Sequence, residues 1–217
     1  MKRFVQSALV LFGLVATLAH GQALYREGTH YFTIAKPVRT ADPNKIEVTE
    51  AFWYGCPHCY ALDPKLEGWV AKLPSDVAFV RSPITWNPMT KVHAQIYYTE
   101  LALGTLGKTH KVIFDAIVQG RSRLDTQDEI RKVFVAQGIS PADFDKAWTS
   151  FGVNSQVKQA DARMMEYGIS GVPNLIVNGK YRIEGVSAPG KSEAQMHEEM
   201  LKIADFLITQ ERAAGKK

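Results

Sequence analysis

The chain of 217 residues holds only two cysteines, Cys56 and Cys59, with Pro57 and His58 between them. That spacing excludes a disulfide framework: a bridge between them would close a very small loop, which constrains the unfolded chain least. The fold must be held by a hydrophobic interior instead. With 46% hydrophobic residues the chain can bury one, either as one large domain or as a core domain carrying an insertion. The cysteine pair is a poor staple and is better suited to chemistry.

Its surroundings say which chemistry. Residues 45–53 read as a strand, with Ile46, Val48, Glu50 and Phe52 on one face and Glu47, Thr49, Ala51 and Trp53 on the other, so Glu50 is a misfit among apolar neighbours. Pro57 fits the first turn of a helix, and Tyr60, Leu62, Leu66, Trp69 and Val70 supply an apolar stripe up to about Leu73. Cys56 then faces the unpaired amides and positive end of that helix, which stabilise a thiolate. Disulfide exchange needs such a thiolate and a neighbouring thiol to resolve the mixed disulfide. Cys56 is therefore expected to be the exposed attacking sulfur and Cys59, one turn further in, the resolving one.

Pro57 and His58 tune the pair, Pro57 by stiffening the turn and His58 by adding positive potential. Each unit by which the Cys56 pKa falls is worth ~1.4 kcal/mol, or about 30 mV in a two-electron couple. The expectation is an oxidant whose reduced form is the more stable. A competing reading makes Cys-x-x-Cys half of a zinc site. No second such pair exists, and His93, His110 and His197 are scattered over presumed helices where they are expected to be solvated. Neither a metal nor another cofactor is expected.

Elsewhere, residues 31–34 and 77–80 read as strands and 37–44 as a connection. Residues from about 87 to 167 look helical throughout: Thr126 with Glu129 forms a capping box, Ser140-Pro141 opens a helix, and Gly138 and Gly168 are stops. Strands return at 174–177 and 181–184 around Asn178-Gly179, a strong hairpin turn. A last helix over about 192–212 carries Met196, Met200, Ile203, Ala204 and Leu207 on one face. The domain reading is a core α/β unit of residues 22–86 and 168–217, interrupted by a helical domain of residues 87–167.

Lys2 and Arg3 followed by an uncharged, mostly apolar stretch to Ala19 read as a signal peptide over residues 1–21, with cleavage after Gly21 or Ala23. Loss of Lys2 and Arg3 would halve the formal charge of +4. With 22% charged residues and no single-sign block, the composition carries no nucleic-acid footprint.

The run Glu50-Ala-Phe-Trp-Tyr-Gly-Cys56-Pro57-His58-Cys59-Tyr60, then Gly171-Val172-Pro173 and Val177-Asn178-Gly179-Lys180-Tyr181, resembles the DsbA family of bacterial periplasmic dithiol oxidases over nearly the whole chain. The resemblance implies a thioredoxin-like fold with a helical domain inserted between the third strand and the cis-proline strand. It implies Cys56 as nucleophile and Cys59 as resolving thiol. Val172-Pro173 would form a cis-proline loop facing them, where the Val172 backbone can pair with an extended substrate. Glu50 matches the family's buried acid, which exchanges protons with Cys59. Asp63 and Arg81 stand roughly where the family has an acidic residue and a basic partner, and neither is taken as a site residue. A low-pKa attacking cysteine and an oxidising pair are established for the DsbA family itself, so the poise argued above is not independent of it. Reduced exported proteins would be the substrates, a DsbB-type quinone-linked membrane oxidase the partner, the periplasm the compartment, and the chain a monomer. Two alternatives stay open: a disulfide isomerase or reductant, and a metal-handling protein using the same thiols.

Overall fold

The computed structural model describes residues 24–185 and 190–215; the signal peptide read at residues 1–21 lies outside them. Five strands, β1 (Phe32–Thr33), β2 (Ile46–Phe52), β3 (Val77–Pro83), β4 (Asn174–Val177) and β5 (Tyr181–Glu184), form one sheet in the order β1-β5-β4-β2-β3. β2 runs parallel to β3 and antiparallel to β4. The parallel pair needs a crossover, and α1 (Pro57–Val70) supplies it. Between β3 and β4 lie α2 (Pro88–Leu103), α3 (Leu106–Phe114), α4 (Gln127–Ala136), α5 (Pro141–Trp148) and α6 (Phe151–Tyr167); α7 (Glu193–Ala214) follows β5. This is a thioredoxin-like α/β fold with helices inserted between β3 and β4.

Because β2 has neighbours on both edges and layers on both faces, every residue from Glu47 to Phe52 is buried. On one face Val48 packs with Leu62 and Leu66 of α1, Leu175 of β4, and Met200, Ile203 and Leu207 of α7. Across the sheet, Ala51 and Ile176 meet Met164 and Tyr167 of α6. Phe52 and Tyr54 join a third cluster with Ile96, Phe114, Phe134 and Phe144 of the inserted helices. The end of β2 is therefore fixed by both parts of the molecule, and the cysteines follow directly from it. Fully burying a side chain such as Leu62 is worth roughly 1.5–3 kcal/mol.

The hairpin forms as expected. Asn178 and Gly179 take φ of 52° and 62°, and the Lys180 amide closes the turn on the Val177 carbonyl at 3.0 Å. A Cβ on Gly179 would lie 2.0 Å from the Val38 carbonyl oxygen, so only glycine passes there.

Several expectations need correction. The first strand is only Phe32–Thr33, and the third continues through Pro83. Residues 87–167 are not helical throughout. At Asp115–Gln119 the helix widens to a π-helical turn, and Arg121 and Leu124 then adopt φ of 52° and 41°, which no helix accommodates. Thr126 caps α4 by accepting from the Glu129 amide at 3.4 Å, while the full reciprocal capping boxes sit at Asn87 with Thr90 and at Ser192 with Gln195. His93, His110 and His197 are not solvated: they keep 1%, 3% and 4% of their surface. Each lies in the apolar stripe of its helix.

Candidate active site

The local sequence builds the start of α1 with little freedom. Gly55 passes so close to the Trp53 indole that a Cβ would come within 2.3 Å of it. The Cys56 amide donates to the Trp53 carbonyl at 3.0 Å. Cys56 is the extended N-cap residue, and Pro57 occupies the first turn, where a missing amide hydrogen costs nothing. The Cys56 sulfur thus sits over the open end of the helix. It accepts from the Cys59 amide at 3.4 Å and lies 3.5 Å from the Val172 carbonyl oxygen.

Both cysteines are free thiols with opposite environments. Donation from the Cys59 thiol is the largest influence on Cys56, and the Cys59 and His58 amides and the His58 charge act with it against burial. Together they bring its pKa from 9.0 down to about 6. Cys59 is fully buried, and burial, then its hydrogen bond to Cys56 and the neighbouring charge, hold its thiol well above 9.0. Cys56 keeps 7% exposure, so it is the more accessible of the two without being openly exposed.

His58 projects outward and its Nδ1 lies 2.5 Å from Glu193 Oε1, at the first turn of α7. That hydrogen bond is the main reason its pKa is raised. The Val172–Pro173 bond is cis. With His58, Glu193, His197, Met196 and Met200, these two residues line a groove of about 160 Å³ beside Cys56. Glu193, Met196, His197 and Met200 all come from α7, so that helix faces the cis-proline loop across the groove with a carboxylate, an imidazole and two thioethers.

Beneath the pair, on the β2 face covered by α1, Glu50 retains 1% exposure. Burial is the main influence on its carboxyl, and despite the opposing Arg81 charge its pKa rises to about 7. Arg81, directly across from it on β3, reaches Glu50 Oε2 through Nε at 2.9 Å and Asp63 Oδ1 through Nη2 at 2.7 Å. For Asp63 burial is again the largest single influence and raises the pKa, but His110 and Arg81 together outweigh it and the carboxyl ends below its usual 3.8.

The structure therefore gathers Glu50, Cys56, Pro57, His58, Cys59, Val172 and Pro173 around one end of β2. Sequence reasoning missed Glu193, which is 135 positions from His58, and missed the buried group of Tyr54, Glu100 and His110 behind Asp63. Among the described residues no group of three or more His, Cys, Asp or Glu is placed to hold a metal ion.

The chain is similar to known proteins in both sequence and fold. A model of the DSBA-like thioredoxin domain matches residues 76–201. The thiol:disulfide interchange protein DsbA of Pseudomonas aeruginosa is 37% identical over 217 residues, 100% of both chains. That of Azotobacter vinelandii is 43% identical over 187 residues, covering 86% of this chain and 85% of its own. The crystal structure of Pseudomonas aeruginosa DsbA superposes with a TM-score of 0.82 at 39% identity, covering 89% of this chain and 97% of that one. DsbA from Xylella fastidiosa gives 0.76 at 29% identity, over 85% and 96%. With likeness in sequence and in fold running from end to end of its relatives, this chain belongs to the DsbA family of thiol:disulfide oxidoreductases.

Proposed function

We propose that the protein is a periplasmic dithiol oxidase that donates a Cys56–Cys59 disulfide to reduced, newly exported proteins. The observation that carries this reading is the contrast between the two sulfurs, with Cys56 at about 6 and Cys59 held far above it. A pair that is comfortable as thiolate and thiol gains little by closing its bond, so its disulfide is readily given away.

In the forward reaction a substrate thiolate attacks the Cys56 sulfur of the disulfide, forming a mixed disulfide and expelling Cys59 as a thiolate. Buried where it is, Cys59 must take a proton, and Glu50 near pKa 7 is suited to give one. A second substrate thiolate then attacks the substrate sulfur, closing the substrate's disulfide and releasing Cys56 as the stabilised thiolate. Two electrons pass from substrate to protein. Pro57 sets the turn, and His58 adds positive charge beside the thiolate. The Val172 backbone, beside Cys56, and Pro173 hold an extended substrate segment in the adjoining groove. Residues 87–167 act as a helical domain set into the core of residues 22–86 and 168–217. The leader at residues 1–21 directs export, and reoxidation falls to a DsbB-type quinone-linked membrane protein acting on the monomer.

Denaturant melts of the oxidised and reduced mature protein test the reading. The reduced form should be the more stable at neutral pH; a more stable oxidised form would reverse the direction of transfer.

A further inference from the structure

Behind Asp63 runs a buried chain of hydrogen bonds that the reaction above does not use. His110 Nε2 lies 3.3 Å from Asp63 Oδ1, His110 Nδ1 lies 2.6 Å from the Tyr54 hydroxyl, and that hydroxyl bonds to Glu100 Oε2. Tyr54 and Glu100 are fully buried and His110 is nearly so.

Counting hydrogens limits what these contacts can be. Asp63 is ionised beside Arg81, so a neutral His110 can bond to it only through an Nε2 hydrogen. Its Nδ1 is then bare and accepts the Tyr54 proton. Tyr54 has no second hydrogen for Glu100, so Glu100 must itself be protonated and donate to the phenol oxygen. Glu100 Oε1 has no partner in hydrogen-bonding geometry, and burial, although opposed by Thr109, Tyr54 and the Arg81 charge, raises the carboxyl to about 8, which agrees with a neutral acid. Burial holds the Tyr54 phenol well above its usual 10.0, so it stays neutral, and only one other arrangement then satisfies every contact: an imidazolium at His110, donating to both Asp63 and Tyr54, with Tyr54 donating to a Glu100 carboxylate. The two hold the same number of protons and differ only in where those protons sit.

Glu50 and Asp63 share Arg81. While Glu50 is protonated, the guanidinium charge serves Asp63 alone. Once Glu50 ionises, Asp63 lacks half of its counter-charge, and His110 is the group in place to supply it. We infer that Glu100, Tyr54 and His110 form a proton wire that places an imidazolium beside Asp63 when Glu50 ionises and withdraws it when Glu50 regains its proton. In the transfer, the Glu100 proton passes to the Tyr54 oxygen as the Tyr54 proton passes to His110 Nδ1. Tyr54 ends neutral, Glu100 becomes a carboxylate, and the cluster keeps its net charge while positive charge moves toward Glu50. Other groups facing the wire are Glu67 of α1 and Arg81 of β3 toward His110, the Tyr97 ring of α2, and Thr109 of α3, whose hydroxyl donates to the Thr105 carbonyl. Glu100, Tyr54 and His110 are positioning residues, acting through Asp63 and Arg81. The inference rests on Glu50 exchanging protons with Cys59.

The test is a pH titration of the full mature protein in both redox states, with ¹⁵N-labelled histidine and ¹³C-labelled glutamate followed by NMR. His110 should pass from the neutral Nε2–H form to the imidazolium, and Glu100 from acid to carboxylate, over the same pH range in which Glu50 ionises. In Glu100→Gln, whose NH2 and carbonyl replace the acid's donor and acceptor without a transferable proton, and in Tyr54→Phe, which keeps the ring, His110 should stay neutral. The Glu50 midpoint should rise in both by about one pH unit, the effect of losing one nearby opposite charge. A wild-type His110 that never charges, or a Glu50 midpoint unmoved in both variants, overturns the wire. If His110 never charges while Glu50→Gln still slows disulfide transfer, the wire alone has failed; if Glu50→Gln leaves transfer unchanged, both readings fall.

Discussion

The depressed Cys56 pKa makes the stability of the reduced protein depend on pH in a way that can be calculated. A thiol whose pKa is lower in the folded than in the unfolded state contributes stability that is fully present above the unfolded value and is lost as pH falls through the folded one. With values of 9.0 and about 6, that contribution is negligible at pH 5, about 1.4 kcal/mol at pH 7 and about 2.7 kcal/mol at pH 8. Cys56→Ser removes the titrating sulfur and leaves the carboxylates and histidines in place. Urea melts of the reduced wild type and of this variant, each from pH 5 to pH 8 under a non-thiol reductant, isolate the effect as a difference. That difference should widen by about 2.5 kcal/mol in favour of the wild type over the range. A constant difference would refute the claim that folding stabilises the thiolate.

Two further substitutions probe the surroundings of the pair. Glu50→Gln should slow disulfide transfer on the order of 10²-fold, the usual worth of a positioned acid–base group, and should remove the step near pH 7 from the pH–rate profile measured by stopped-flow fluorescence. Glu193→Gln should return the His58 imidazole toward 6.5, because the carboxylate is the main cause of its rise; an NMR titration in which His58 does not move would show that the contact is not maintained in solution.

How much of this could be read from the chain depends on how local each signal is. The Cys56–Cys59 pair, the helix opened by Pro57, the Asn178-Gly179 turn and the misfit of Glu50 on its strand are each defined by a few adjacent residues, so spacing alone reveals them. The cis bond at Val172–Pro173 came only from family resemblance, since nothing local distinguishes it from a trans proline opening a strand. The histidines were misread although a signal was present: His110 is in helical step with Ile113 and Phe114, and His197 with Met200 and Leu201. A polar residue in phase with an apolar stripe points inward and needs partners. Those partners could not be named in advance, because Asp63 and His110 are 47 positions apart and Glu100 and Tyr54 are 46. The break after α3 had only Gly120 to mark it, and a single glycine does not distinguish a π-helical turn from a helix end.

The central claim is one of direction, that the pair gives its disulfide away. Equilibrating the purified mature protein with glutathione redox buffers, and trapping free thiols to read the state of Cys56 and Cys59, measures that directly. The pair should remain reduced until the buffer is strongly oxidising; a pair already oxidised in reducing buffer would make the protein a reductant or a carrier and contradict the assignment.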